Sequence, residues 1–168
     1  KDFKNAKKYF SKAKNQPKSY NGKIRTQALF GLAQAEFSLK NFKTAKKLLI
    51  RYQAREPLQP YSYYLLGRIF EKEKNYSQAA LFYKDAIRLG FAGIEQIYHL
   101  LKISFYLKEK DAIIKYVIAK YKEFKKGFNR VKNASLKKGK NIKGIRNVEK
   151  KMVTLERGIN NAKNKSFA

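Results

Sequence analysis

Residues 60–91 read PYSYYLLGRIFEKEKNYSQAALFYKDAIRLGF, and two apolar stripes within them decide the fold. Tyr63, Leu66, Gly67 and Phe70 recur at i, i+3, i+4 and i+7, and Ala79, Tyr83 and Ala86 at i, i+4 and i+7, so each set lies on one face of a helix. Lys74-Asn75-Tyr76 marks the turn between them. A glycine inside a helix costs about 1 kcal/mol against alanine, so Gly67 predicts a close contact, with Gly67 and Ala79 where two antiparallel helices cross. The stretch also recurs upstream. Gln27 to Leu58 laid on Tyr61 to Ala92 brings Leu29 onto Tyr63, Leu32 onto Leu66, Ala33 onto Gly67, Asn41-Phe42 onto Asn75-Tyr76 and Ala45 onto Ala79, a constant shift of thirty-four residues. A fixed period of this size means stacked helical pairs that cannot bury their apolar faces singly. Function is then expected on a repeated surface rather than in one catalytic pocket.

The apolar residues, the Leu66-Gly67 pair, the small residues and the aromatics at these offsets resemble a tetratricopeptide repeat. The first full unit, 26–59, keeps Leu29, Leu32, Ala33, Ala45 and Leu49, and its Pro57 stands where the family places a closing proline. It departs at Glu36, where an aromatic is expected, and at Tyr52, where a small residue is expected. The second unit is 60–93. A third, 94–126, has Ile97, Tyr98, Leu101 and Phe105 on one face and Ala112, Tyr116 and Ala119 on the next, with a turn at Leu107 to Asp111 read as one residue shorter. Leu101 replaces the small residue, which predicts a splayed or tilted helix pair. Residues 2–17, with Phe3, Ala6, Phe10 and Ala13, reproduce only the second helix of a partial repeat, so the chain reads as beginning in mid-repeat, with any targeting segment upstream. The array is expected over 1–126, and the fold class is all-α, a tetratricopeptide-type helical solenoid of about three helix-turn-helix repeats with a C-terminal capping helix.

Composition narrows the function classes. Forty Lys and Arg against twelve Asp and Glu give a formal net charge of +28, a field that attracts nucleic acid, anionic lipid or acidic protein segments. Only eight of the forty are arginines, and a lysine excess with abundant Asn and Ile is what an AT-rich, bacterial genome produces by codon bias; sequence-specific nucleic-acid readers favour Arg. Most of the charge is therefore read as a solvated face. Fourteen bases against two acids, Glu149 and Glu156, fall from Lys125 onward. Within that tail Gly127, Gly139 and Gly144 with Asn129, Asn133 and Asn141 predict a basic loop over 127–146. Val148, Met152, Leu155, Ile159 and Ala162 then form an apolar stripe over 147–165, read as a helix that covers the open end of the last repeat; a basic amphipathic helix on an anionic membrane is the rival. The chain has no cysteine, which excludes disulfides and thiolate metal sites, and no apolar run of the roughly 20 residues that would cross a bilayer.

In tetratricopeptide arrays the first helix of each unit lines a concave groove. The resemblance places the contact positions at Gln27, Phe30, Gln34 and Phe37; at Tyr61, Tyr64, Arg68 and Glu71; and at Glu95, Tyr98, Lys102 and Phe105. It implies an aromatic groove for a protein or peptide partner, with Arg68 and Lys102 exposed to meet acidic side chains. Packing between neighbouring helices is the competing account of Phe37, Tyr98 and Phe105. The family's chaperone-binding members hold a terminal carboxylate with Lys and Asn at positions that are Phe30 and Gln34 here, so that ligand is not expected. His99 is the single histidine and reads as structural or exposed; no nucleophile with a base and no glycine-rich phosphate motif occurs. The chain thus reads as a non-enzyme without metal or cofactor. By family analogy an interaction scaffold is expected, on the cytoplasmic or periplasmic side of a bacterial envelope, in an envelope-associated assembly such as a motility or secretion apparatus. The alternative is a polyanion-binding module acting through the basic tail.

Overall fold

The computed structural model describes residues 2–15, 22–91, 93–137 and 143–166. Eight helices and no strand occur among them: α1 (Phe3–Lys14), α2 (Gly22–Ser38), α3 (Phe42–Gln53), α4 (Pro60–Lys72), α5 (Tyr76–Arg88), α6 (Ile94–Ser104), α7 (Lys110–Lys137) and α8 (Lys143–Ser166). Three of the starts carry a side-chain cap. Asp2, Gln59 and Asn75 accept backbone N–H bonds from Asn5, Ser62 and Gln78, and Pro60 stands in the first turn of α4, where no N–H is needed. The turns inside the first two full repeats, α2–α3 and α4–α5, close alike, with Lys40 and Lys74 in the left-handed region at φ 64° and 59°. Asn41 N–H reaches the Glu36 carbonyl and Asn75 N–H the Phe70 carbonyl, both at 2.9 Å, which satisfies the last carbonyls of α2 and α4.

Packing follows the period along the whole array. Leu32, Leu66 and Leu100 are buried at successive repeats, as are Ala45, Ala79 and Ile113, and then Leu49, Tyr83 and Val117. The third repeat therefore keeps the strict spacing, and the shorter-turn reading fails: Ile113 and Val117 face the core while Ala112 and Ala119 are exposed. Over Gly67 the nearest neighbour is the Tyr83 ring rather than Ala79; a Cβ there would lie 2.7 Å from its Cδ1 and Cε1. At the open end of the array α1 runs antiparallel to α2, with Phe10 pressed on Gly31 and Lys7 Nζ 2.8 Å from Glu36 Oε1. Glu36, nearly fully buried, also accepts from Asn41 Nδ2 at 2.7 Å. Burial would raise this carboxyl, but the Lys7 and Asn41 hydrogen bonds outweigh it and hold it below its ordinary range. The departure from an aromatic at this position thus ties α1 and the α2–α3 turn together.

The predicted loop over 127–146 is corrected by α7, which runs unbroken through Gly127, Asn129 and Asn133 to Lys137 over about 42 Å. Gly144 lies in α8, and Gly139 and Asn141 fall outside the described residues. The helix persists because its distal half has a partner. Phe124 and Phe128 stack on each other and pack with Val148 against the core, Tyr121 Oη donates to Glu156 at 2.8 Å, and Lys125 and Lys132 reach Glu156 and Glu149 at 2.7 and 2.6 Å. α8 lies on the last repeat with Met152, Leu155, Ile159 and Ala162 buried. Its Gly158 lets Leu101 come within 3.1 Å of where a Cβ would stand, so the large residue in place of a small one packs against the cap.

Candidate functional site

The first helices of the three repeats, α2, α4 and α6, share a face on which aromatic rings meet from one repeat to the next. Phe30 stacks on Tyr52 at 4.5 Å between centroids and meets Tyr61 edge-on at 6.1 Å. Tyr61 stacks on Tyr64 at 5.8 Å, and Phe91 touches both, at 5.3 and 5.6 Å. Tyr64 then meets Tyr83 and His99 at 6.0 and 6.2 Å, and Tyr98 meets His99 at 5.8 Å. Such pairs add about 0.5–1.5 kcal/mol beyond area burial and order a row in which Tyr52, Tyr64 and Tyr83 are buried, Phe30, Tyr61, Phe91 and His99 are half-buried and Tyr98 is exposed.

A polar cluster lies beside the rings. Glu71 accepts from Tyr83 Oη at 2.6 Å and from Lys102 Nζ at 3.2 Å, and its Oε2 lies 2.8 Å from His99 Nδ1. That last approach is short but poorly directed for a straight hydrogen bond, since Nδ1 finds no well-aligned acceptor. Burial would raise the Glu71 carboxyl; His99, Tyr83 and Lys102 together overcome it and hold it down to about 2. The Tyr83 hydroxyl is pushed far up by burial and by donation to Glu71. A carboxylate held as an anion by two donors and a close imidazole is a poor base, and a phenol bound to that anion is a poor acid. The cluster therefore fixes geometry and charge and is not suited to proton transfer. Among the described residues no group of three or more His, Cys, Asp or Glu is placed to hold a metal ion.

Of the sequence-derived contact positions, Phe30, Tyr61, Tyr64, Arg68, Glu71, Tyr98 and Lys102 come together here. Arg68 is half-buried, donating to Tyr64 Oη at 2.9 Å and lying over that ring, and Lys102 is exposed but paired. The expected exposure holds for Lys102, which Glu71 already pairs, and is corrected for Arg68, which the Tyr64 hydroxyl draws down over its own ring. Tyr98 and Phe105 are 40% and 46% exposed, so interhelical packing does not account for them. Phe37 is half-buried against Phe42 in its own helical pair, Gln34 is half-buried, and Gln27 is exposed at the edge. Glu95 pairs with Lys151 of α8, and with Tyr98 and Thr154 it lines a cavity of about 180 Å³ where the cap meets the last repeat. Tyr52, Tyr83, Phe91 and His99 are the members that the contact positions omit. Tyr52 was signalled by standing where a small residue is expected; His99 gave no signal, because its partner Glu71 belongs to another repeat.

No protein-family model and no curated protein sequence matches the chain. Among solved structures, the "Crystal structure of MamA" is similar with a TM-score of 0.62, covering 98% of this chain and 91% of that one at 19% identity. The "MamA RS-1 ArsTM double mutant" gives 0.60 over 75% of this chain and 67% of that one, again at 19% identity. At this identity the likeness is one of fold, and it agrees with the repeat ladder and the all-α core: the chain has a tetratricopeptide-type helical solenoid fold.

Proposed function

We propose that this protein is a non-enzymatic scaffold that binds a segment of a protein partner along the face formed by α2, α4 and α6. The observation that carries the reading is the exposure of Tyr98, at the end of a cross-repeat aromatic row, and of Phe105, at the C-terminal cap of the same helix. Rings give large contact area at low entropy cost, and solenoids present such surfaces for extended or helical segments. Arg68 and Lys102 against Glu71 leave one positive charge in excess, which favours a partner with an acidic side chain beside its apolar anchors. The twelve contact positions remain the proposed site, with Tyr98, Lys102 and Phe105 the most accessible. An envelope-associated bacterial assembly, such as a motility or secretion apparatus, is the setting this reading favours by family analogy.

The test is a double variant, Tyr98→Ala with Phe105→Ala, in a pull-down from the source lysate. Both side chains are substantially exposed, so melting should stay within about 0.5 kcal/mol of the parent while the recovered partners are lost. Unchanged recovery by the double variant overturns the proposal. A second reading is a polyanion surface on the α7–α8 hairpin, favoured because Lys126, Arg130, Lys137 and Arg146 there have no carboxylate partner among the described residues. Its signature is DNA binding with a steep salt dependence that disappears when these four are neutralised.

A further inference from the structure

Away from the aromatic face, the ends of α1 and α3 and the start of α2 border an open, solvent-facing cavity of about 460 Å³ lined by Lys14, Asn15, Arg25, Leu29, Arg51 and Arg55. We propose that this cavity is a binding site for a phosphate-bearing anion. Three of the eight arginines of the chain converge on it with a lysine, and no acidic residue lines it. All twelve acids of the chain lie within the described residues, and none comes within 4.0 Å of these four side chains. Glu56, next in sequence to Arg55, makes no ion pair with any of them, and residues 16–21 contain neither Asp nor Glu that could neutralise the cluster from the α1–α2 connection.

Helix-end chemistry does not account for the arrangement. Lys14 and Arg51 stand in the last turns of α1 and α3, where a cation offsets the negative end of the helix dipole. Arg25 stands in the first turn of α2, where the dipole opposes it, and Arg55 lies beyond the end of α3. Arg25 Nε donates to the Lys14 carbonyl at 3.4 Å, which orients the guanidinium and leaves its two terminal nitrogens for a ligand. Guanidinium forks match pairs of phosphate oxygens, and the buried Leu29 at the cavity wall strengthens the attraction by displacing water. The volume exceeds what one phosphate group fills, and the nearly all-polar wall offers an aromatic base no stacking surface, so a diphosphate or a compact phosphate ester is the fitting class.

The experiment is calorimetric titration of the full chain with inorganic pyrophosphate at about 0.1 M salt, where long-range attraction to the overall charge is screened beyond roughly 10 Å. Arg51→Gln with Arg55→Gln is compared with Lys43→Gln with Lys47→Gln, which removes the same charge from exposed positions of α3 that do not line the cavity. Saturable binding weakened about tenfold or more by the arginine pair and less than about twofold by the lysine pair is expected. Equal weakening by both pairs, or no saturable binding by the parent, overturns the proposal. Arg25→Gln, read in parallel, should weaken binding by itself; unchanged affinity there also counts against the site. Sedimentation with phosphatidylcholine vesicles carrying phosphatidic acid separates the sources of the phosphate. Arginine-dependent capture by those vesicles assigns the group to a lipid, and pyrophosphate binding without capture assigns it to a soluble ligand, each in support of the site.

Discussion

Replacing Gly67 by alanine sets two opposed effects against each other at one atom. In an exposed helix the change would stabilise by about 1 kcal/mol through propensity. Here the new Cβ would stand 2.7 Å from Cδ1 and Cε1 of Tyr83, a ring that is fully buried, tied to Glu71 at 2.6 Å and stacked on His99 at 5.6 Å. The ring cannot swing away without breaking the Glu71 bond, so the overpacking cost of about 1–3 kcal/mol, and toward its upper end, applies. The net expectation is a loss of about 1–2 kcal/mol, which for a chain of this size lowers the melting temperature by roughly 3–8 °C. Thermal unfolding followed by circular dichroism reads it directly, and a second background sharpens it. With Tyr83→Leu already in place the ring is gone, only propensity remains, and Gly67→Ala should then be neutral or stabilising. A single Gly67→Ala variant that melts at or above the parent refutes the close approach of α4 and α5 argued here.

Three further outcomes follow from the same geometry. The Glu71 carboxyl is held at about 2 against an ordinary 4.5, so its stabilisation is fully present above about pH 4.5 and is lost as pH falls toward 2; Glu71→Gln should remove on the order of 3 kcal/mol at neutral pH and flatten acid unfolding in that window, as read by chemical denaturation across pH. Leu155, fully buried between α8 and the last repeat, should cost about 2–5 kcal/mol on replacement by alanine, and an unchanged melting temperature would mean that α8 does not cap the array. Duplex DNA should bind weakly, without sequence preference, and be largely released by about 0.2 M salt; affinity that survives there and falls when residues 125–168 are removed would make the basic tail the functional element.

How much of this was legible from sequence differs from element to element. The thirty-four-residue ladder fixes which residues are buried as far as Val117, because each repeat solves the same packing problem with the same offsets. Reading a shorter third turn shifted the α7 face onto Ala112 and Ala119; small residues looked like the family pattern, while Ile113 and Val117 satisfied the core. Gly127, Asn129 and Asn133 read as breakers, yet each costs only about 1 kcal/mol or less in a helix, and the seam of Phe124, Phe128 and Val148 with three hydrogen bonds to Glu149 and Glu156 outweighs them. The stripe of α8 was legible because its five apolar residues keep helical spacing without interruption. The Glu71, Tyr83 and His99 cluster was not, since its members belong to three helices and become neighbours only when repeats stack. The Lys102 pairing with Glu71 joins two repeats and is invisible in local sequence, whereas Tyr64, four residues before Arg68 on the same helix face, was the available signal for that half-buried guanidinium.

Which face of the array meets a partner is read most directly by site-specific photo-cross-linking in the source cell. A photoreactive phenylalanine is placed singly at Tyr98, at Phe105, and at the exposed positions Ile50 and Leu81 on the second helices. The same cross-linked partner from Tyr98 and Phe105, and none from Ile50 or Leu81, is the predicted result. Cross-links confined to Ile50 and Leu81, with Tyr98 and Phe105 silent, would contradict the claim that the aromatic face of α2, α4 and α6 is the binding surface.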